Sequence, residues 1–158
     1  MNVLKKLSAA PRHSVHGDGA LLLIRVVVGL AFMIHGWSKI QNPFGWMGPE
    51  GFAPGFFQGL AVLSEFGGGF AWIVGLLTPL ASLGIASTMA VAFSMHTFMR
   101  GDPFVSKAGG PASELAAVYF CVAIVLIAMG PGRFSLDRLI FGRRPAAGPE
   151  TKWDRPAE

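Results

Sequence analysis

Four apolar runs, long enough or nearly long enough to form membrane-spanning helices, make up most of this 158-residue chain. A helix needs about 20 mainly apolar residues to cross the hydrocarbon core of a bilayer. Only 14% of the residues are charged, against roughly 25% in an average soluble domain, and the mean hydropathy is +0.51. The pattern predicts an all-α fold, namely an integral membrane antiparallel four-helix bundle. The runs are Ala20–Trp37, Phe56–Leu77, Leu80–Met99 and Leu115–Met129.

The bundle is expected to fill a single transmembrane domain at residues 18–142, which leaves no room for a second domain. Pro111–Ser113 can extend the short fourth run by one turn. Asp18 is placed to cap the first helix, because its side chain can accept a hydrogen bond from a backbone N–H there. Residues 1–17 and the basic residues 143–158 are interpreted as flexible tails. The expected helices lie at about 19–38, 56–77, 80–99 and 112–129.

The net charge of +4 comes from basic residues that are concentrated toward the two ends of the chain. The loops expected at the opposite end of the bundle contain only Lys39, Arg100 and Lys107. Cytoplasmic segments of membrane proteins are enriched in Lys and Arg, so this distribution predicts that both termini are cytoplasmic. The basic ends fit a topology signal and contacts with anionic lipids, and no nucleic acid is expected as a partner. They contain Lys5, Lys6, Arg12, Arg133, Arg138, Arg143, Arg144, Lys152 and Arg155.

Six ionisable side chains interrupt the apolar runs or lie at their ends: Arg25, His35, Lys39, Glu65, His96 and Glu114. Hydrocarbon is a poor solvent for charge, so such residues usually face a bundle interior, pair with one another or take part in function. Because successive helices alternate in direction, all except Arg25 are expected near the outer end of the bundle. At the rise of an α-helix, Arg25 lies about 15 Å nearer the cytoplasm than His35.

Two interpretations of these residues lead. In the first, the bases Arg25 and Lys39 neutralise the acids Glu65 and Glu114, since unpaired charges inside the bundle would cost several kcal/mol each. In the second, the residues at the outer end bind the polar headgroup of a quinone, a sulfur oxyanion or a small thiol. The two histidines and Lys39 would donate hydrogen bonds to it, and Glu65 would accept a proton.

A metal centre is a third interpretation, because His35, His96, Glu65 and Met95 belong to metal-binding residue types. No pair of them has a recognised ligand spacing, so no metal site is predicted, although the topology would allow both histidines to ligate a haem. A quinone is the one cofactor that remains under consideration. The single cysteine, Cys121, excludes an intramolecular disulfide and is interpreted as a small packing residue.

The segment Gln41–Gly55, which joins the first two helices, is rich in Gly, Pro and aromatic residues. Trp and aromatic neighbours favour the membrane interface, so we interpret this segment as a partly re-entrant lid at the outer interface. The triplet Gly67–Gly69, next to Glu65, suits close helix packing and can also loosen the second helix. Ser135–Phe141 is a short amphipathic stretch, suited to lie on the inner membrane surface.

Several motifs resemble one family when they are taken in order along the four helices. They are LIRVVVGLAFMIHGWSKI (Leu23–Ile40), SEFGGG in the second helix with GLLTP at its end, a Glu at the head of the fourth helix, and GPGRFSLD (Gly130–Asp137). The chain resembles the DoxX family of small four-helix bacterial membrane proteins. The positions that match the family pattern are Arg25, Gly36, Lys39, Glu65, Gly75, Glu114, Gly130 and Asp137. His35 and His96 are less typical of it, which weakens the metal and haem interpretations.

The resemblance implies a multi-pass protein of the bacterial plasma (inner) membrane with both termini cytoplasmic. Family members are linked to sulfur and redox chemistry. Related polypeptides form part of an archaeal thiosulfate:quinone oxidoreductase, and a mycobacterial member is similar to the membrane anchor of an oxidative-stress complex. The resemblance carries over no established catalytic residue.

The expected function is therefore that of an integral subunit of a sulfur-linked, quinone-linked or oxidative-stress redox assembly. Such a subunit would anchor a membrane or peripheral protein partner, bind a quinone-like headgroup and depend on other subunits for enzymatic activity. It can also form a homo-oligomer in the bilayer. The alternatives are a purely structural subunit of a larger complex and a small transporter of a sulfur compound. The transporter is less favoured, because the sequence lacks an inverted repeat and a pair of broken helices.

Overall fold

Residues 13–107 and 109–142 are described in the computed structural model of the chain. The predictions for residues 1–12 and 143–158, which include most of both tails, lie outside this part. Within it the chain is helical and contains no strand. The helices are α1 (Val15–Ile40), α2 (Gly55–Val74), α3 (Thr78–Met99), α4 (Glu114–Met129) and α5 (Leu136–Phe141).

Three helices, α1, α2 and α3, are long and apolar enough to cross a membrane, and α4 is a shorter apolar helix. About a third or less of each long helix is buried inside the protein. Many large apolar side chains on the remaining faces are exposed, among them Leu23, Ile34 and Leu83. A monomeric soluble protein rarely exposes so much continuous apolar surface. The predicted all-α membrane fold is therefore confirmed.

The helix ends differ from the expected ones by a few residues, for local reasons. Ser14 caps α1, since its hydroxyl accepts a hydrogen bond from the N–H of Gly17 at 3.1 Å. The expectation that Asp18 is this cap is therefore wrong, and Val15–Gly17 belong to the helix. Gly75 ends α2 because its φ of 69° is left-handed, a conformation that suits glycine. At the other end of the chain, α4 begins at Glu114, two residues later than expected.

Two helices contain a π-helical turn near the same end of the bundle. In α2 the turn is Leu63–Gly67, between α-helical segments Gly55–Val62 and Gly68–Val74. In α3 it is Met95–Met99, directly after Thr78–Ser94. Single π turns inside α-helices are rare and occur frequently at functional sites. We call this end, where residues 41–54 join α1 to α2, the lid end, and residues 41–54 the lid segment.

The core forms where α1 crosses α2 and where α3 packs against α4. Phe32 and Trp72 are buried and meet edge to face, with ring centroids 5.7 Å apart. The backbones of α1 and α2 approach closely at Gly29 and Gly69. A Cβ added at Gly29 would lie 2.6 Å from the carbonyl oxygen of Gly69, so only glycine fits there. Arg25, early in α1, contacts Trp72 late in α2, whereas Lys39, at the end of α1, contacts Glu65 earlier in α2. The two helices are therefore antiparallel.

Replacing Gly29 by alanine is expected to destabilise the fold by about 1–3 kcal/mol, because the added methyl group overpacks the contact with Gly69. Gly19 is the matched control on the same helix, since a Cβ there has no atom within 4 Å. Gly19→Ala should leave stability unchanged or raise it slightly, because alanine favours the helix. Unfolding in detergent, followed by circular dichroism, checks both. Equal stability of the two variants would contradict the close crossing.

Candidate functional site

An ion pair joins α1 to α2 at the lid end. The Nζ of Lys39, in the last turn of α1, lies 2.7 Å from Oε1 and 2.6 Å from Oε2 of Glu65. The Glu65 side chain is only 6% exposed, whereas that of Lys39 is 23% exposed. Lys39 Nζ also lies 4.4 Å from the ring centroid of Trp46 in the lid segment. The pair therefore neutralises a nearly buried carboxylate, and the lysine remains partly accessible.

Glu65 occupies the π turn of α2, two residues before the glycine triplet begins. The widened turn changes the direction in which the following side chains point. Phe66, the next residue, lies against Gly36 of α1, where an added Cβ would come within 2.9 Å of the Phe66 Cβ. The π turn, together with the close contacts at Gly36 and Gly69, thus brings Glu65 toward the end of α1.

A cavity of about 610 Å³ lies beside this ion pair, between the helices and under the lid segment. Its size is within the range of about 300–1,000 Å³ that is usual for small-molecule sites. The walls are mainly apolar and come from α1, α2, α3, α4 and the lid segment. A few polar or ionisable side chains also line it: His35, Lys39, Gln58, Glu65, Ser87, Thr88, His96 and Tyr119. Four of the six predicted residues therefore line one cavity.

The lid segment is fastened to α2 by Gln58, which is buried. The Gln58 side-chain oxygen accepts a hydrogen bond from the N–H of Met47 at 3.0 Å, and its amide donates to the carbonyl of Ala53 at 2.8 Å. The indole N–H of Trp46 donates to the backbone carbonyl of Gln58 at 3.3 Å. Trp46, Met47 and Phe52 lie on the cavity wall. These contacts hold the lid segment over the cavity.

The two histidines on the wall have different surroundings. The Nδ1 of His96 lies 2.7 Å from a carboxylate oxygen of Asp102, which follows α3. The backbone N–H of Asp102 donates to the carbonyl of His96 at 2.9 Å, so the chain turns back around Gly101. The exposed ring of His35 lies 6.5 Å from that of Tyr119 on α4, measured between centroids. The wall thus has polar groups on α1, α3 and α4.

Arg25 lies away from the cavity, near the opposite end of the bundle, and is 1% exposed. Its guanidinium donates to the carbonyls of Trp72 at 2.8 Å, Ile73 at 3.2 Å and Phe134 at 3.0 Å, and also to that of Pro131. These carbonyls belong to the end of α2 and to the segment that follows α4. Arg25 therefore fastens three parts of the chain together and is not a residue of the cavity.

Glu114 is half-buried at the start of α4 and does not line the cavity. Its backbone N–H donates to the carbonyl of Phe104 at 2.9 Å. In the part of the chain that the structure describes, its carboxylate forms no ion pair. The structure therefore pairs Lys39 with Glu65 and separates Arg25 and Glu114 from them.

Several residues that shape this arrangement were not predicted from the sequence. Gln58 and Asp102 were missed because an amide in an apolar helix and an acid in a polar loop carry no motif. Asp137 was noted only as a family-pattern position. It is fully buried and accepts hydrogen bonds from the N–H groups of Leu77 at 2.6 Å and Thr78 at 2.8 Å, which caps α3. This contact also holds Leu77 at its positive φ of 48°.

The interpretation of Cys121 as a packing residue is wrong, because its side chain is exposed. It lies on α4, in a wholly apolar groove of about 350 Å³ together with Ile24 and Phe104. The α4 helix is apolar on all sides, so the sequence does not indicate which face points inward. Across the described residues, His, Cys, Asp and Glu side chains do not come together in groups of three or more that could hold a metal ion.

The fold and the cavity define a small multi-pass helical membrane protein with a mainly apolar pocket, containing a few polar side chains, near one end. The chain belongs to the DoxX family, whose sequence profile matches residues 20–98. This confirms the resemblance seen in the motifs, and it includes Arg25, the Lys39 and Glu65 pair and the π turn of α2. No solved structure matches the chain.

Three relatives of the chain are bacterial proteins, and two of them are described as membrane proteins. It is 32% identical over 130 residues to the inner membrane protein YqjF of Escherichia coli, covering 78% of this chain and 93% of that one. It is 31% identical over 159 residues to an uncharacterised membrane protein of Mycobacterium tuberculosis, covering 89% and 96%. It is 30% identical over 123 residues to an uncharacterised protein of Haemophilus influenzae, covering 77% and 90%. The protein is thus a multi-pass protein of the bacterial inner membrane.

Proposed function

We propose that the protein is an integral subunit of a redox assembly and that its cavity binds a quinone-like headgroup. The observation that carries this proposal is the Lys39–Glu65 ion pair on the wall of an otherwise mainly apolar cavity of about 610 Å³. A quinone combines a flat apolar ring with carbonyl oxygens at its edge. An apolar site with a few convergent polar groups suits that combination.

The ion pair supplies the chemistry that such a headgroup needs. A lysine ammonium has three N–H donors, and both carboxylate oxygens of Glu65 are within hydrogen-bonding distance of it. The Trp46 ring occupies another side of the ammonium. A ligand carbonyl can replace that weaker contact and accept a charge-assisted hydrogen bond. Glu65, held nearby, is positioned to exchange a proton with the bound group.

The topology in this proposal places both termini in the cytoplasm. The basic residues at the two ends of the chain support it, because cytoplasmic segments are enriched in Lys and Arg. The lid end and its cavity then face the periplasmic side of the inner membrane. The cytoplasmic side then contacts anionic lipids and the protein partner that the subunit anchors.

A purely structural subunit is the second candidate. It is favoured by the completeness of the Lys39–Glu65 pair, which neutralises both charges without any ligand. Buried ion pairs can fix the register of helices without adding stability. In that case the charges would serve only assembly, and the cavity would hold lipid chains.

Quinone binding by the double variant Lys39→Met with Glu65→Gln, which leaves no unpaired charge, separates these candidates. In lipid nanodiscs, decylubiquinone is expected to quench the tryptophan fluorescence of the wild-type protein, because Trp46 lines the cavity. Loss of the charged donor should weaken binding by about tenfold or more. Lys107→Met is the matched control, since Lys107 is exposed and outside the cavity, and it should bind as the wild type does. Absence of saturable wild-type quenching, or equal affinity in both variants, would contradict the proposal.

A further inference from the structure

The two loops at the lid end are both closed by hydrogen bonds. Gln58 and Trp46 fasten the lid segment to α2, as described above. The loop between α3 and α4 is closed by the contact of His96 with Asp102 and by the N–H of Ser113, which donates to the carbonyl of Pro103 at 3.1 Å. Both loops also contribute residues to the cavity wall at this end, among them Met47 and Ala112.

The side between α2 and α3 is built differently. The two helices cross closely near their middles, where a Cβ added at Gly84 would lie 3.2 Å from the hydroxyl of Ser64. A Cβ added at Gly68 would lie 3.2 Å from the Ile85 side chain. Beyond this crossing, toward the lid end, the first α-helical segment of α2 (Gly55–Val62) makes little contact with α3. Within the described residues, no hydrogen bond or ion pair joins that segment to α3.

Two glycines of this segment allow it to pack closely against the lid segment. Gly55 and Gly59 face the lid segment: an added Cβ at Gly55 would lie 2.7 Å from the carbonyl oxygen of Phe44, and one at Gly59 would lie 2.6 Å from the Phe44 ring. The segment is therefore packed tightly against the lid segment on one flank. Its flank toward α3 makes few contacts by comparison.

A gap therefore lies between this segment of α2 and α3. Some residues at its edges line the cavity and are also exposed on the outer surface of the protein. Leu60 and Ala61 of α2 and Ser87 and Val91 of α3 line the cavity. Leu60 is 45% exposed and Val91 is 56% exposed. In a spanning helix, exposed apolar side chains face the hydrocarbon of the bilayer. With α2 and α3 spanning the bilayer, the gap opens sideways toward the hydrocarbon.

From this geometry we infer that the gap between Leu60 and Val91 is a lateral portal, through which a lipid-soluble ligand enters the cavity from the bilayer. The ligand class is an amphiphile with a long apolar tail. Its headgroup lies beside Lys39 and Glu65, and its tail extends between α2 and α3 into the hydrocarbon. This inference rests on the proposed function, since it takes the cavity to bind a headgroup. It disfavours water-soluble ligands such as a free sulfur oxyanion or a small thiol.

A buried reporter thiol tests the portal without any quinone. Ala116 of α4 lines the cavity and is 8% exposed, so Ala116→Cys in a Cys121→Ser background places one thiol inside. The labelling rate is measured in nanodiscs with a maleimide on a long alkyl chain, dissolved in the lipid. Val91→Trp should slow labelling by about tenfold. Leu83→Trp is the matched control on the same helix, since Leu83 is 57% exposed and outside the cavity, and it should leave the rate unchanged.

A second part of the experiment identifies the ligand class. It measures how well an added quinone protects the same thiol from labelling by the maleimide. Ubiquinone with its long isoprenoid tail is expected to protect the reporter. The same ring with a methyl group in place of the tail, which leaves no open ring position for the thiol to attack, is expected to protect it far less. Slow labelling of Val91→Trp without protection by either quinone would support the portal and refute the quinone headgroup. Equal labelling rates of Val91→Trp and Leu83→Trp, with normal circular dichroism, would overturn the portal whether or not quinone binds. Leu60→Trp, on the facing wall, replaces Val91→Trp if the latter does not fold.

Discussion

Replacing Arg25 by methionine is expected to lower the free energy of unfolding by about 3 kcal/mol or more. The guanidinium of Arg25 donates to four backbone carbonyls and is almost completely buried. Methionine fills a similar volume but donates no hydrogen bond, so these carbonyls lose their charged partner. A buried polar group without a partner retains its full desolvation cost. The junction of α1, α2 and the segment after α4 should loosen first.

Unfolding in detergent, followed by circular dichroism, measures this loss. Arg100→Met is the matched control, because Arg100 is exposed in a loop and the same charge is removed; its stability should remain within about 0.5 kcal/mol of the wild type. Arg25→Lys should be intermediate, since a lysine retains the charge but cannot reach four carbonyls with a rigid fork. If Arg25→Met is as stable as the wild type, the prediction is wrong, and the four carbonyls accept hydrogen bonds from other donors.

Removing only one member of the Lys39–Glu65 pair is expected to cost more than removing both. Lys39→Met leaves the nearly buried Glu65 carboxylate without its cation, and breaking a buried pair in this way costs about 3–5 kcal/mol. The double variant Lys39→Met with Glu65→Gln contains no unpaired charge. Its stability should return most of the way to that of the wild type, because neutral replacements of buried pairs are often tolerated.

The same double variant separates a stabilising pair from a ligand site. If the pair serves only assembly, the double variant should be stable and should retain the membrane partners of the wild type. If the pair binds a headgroup, the double variant should be stable but should lose decylubiquinone binding. Thermal unfolding and quinone titration on one preparation report both properties. Additive losses, with the double variant less stable than either single one, would show that the two charges do not stabilise each other.

The two ends of the molecule have different chemistry. At the end opposite the lid, Arg25 and Asp137 are fully buried and direct their hydrogen bonds to backbone groups, which closes the bundle. At the lid end, Lys39 and Glu65 pair through side chains on the wall of a cavity. Substitutions at the first end should therefore affect folding. Substitutions at the second should affect both folding and binding, which makes the double variant the more informative test.

The candidate site could be predicted from sequence only in part. Alternation of helix direction brings residues at the ends of α1 and α3 near the start of α2, so His35, Lys39, Glu65 and His96 were expected at one end. The rotation of each helix about its axis is not visible in apolar runs of this kind. The exclusion of Glu114 from the cavity and the partners of Arg25 therefore could not be read from the sequence.

By itself, the sequence determined the class of fold, the four long apolar helices and the family. Helix formation in a membrane depends on local composition, because each apolar segment must satisfy its own backbone hydrogen bonds. The tertiary structure alone decided which charges meet. Lys39 reaches Glu65 because glycine contacts bring α1 against α2 and a π turn widens α2 at that point. Such contacts join residues far apart in the chain, and their geometry depends on the packing of whole helices.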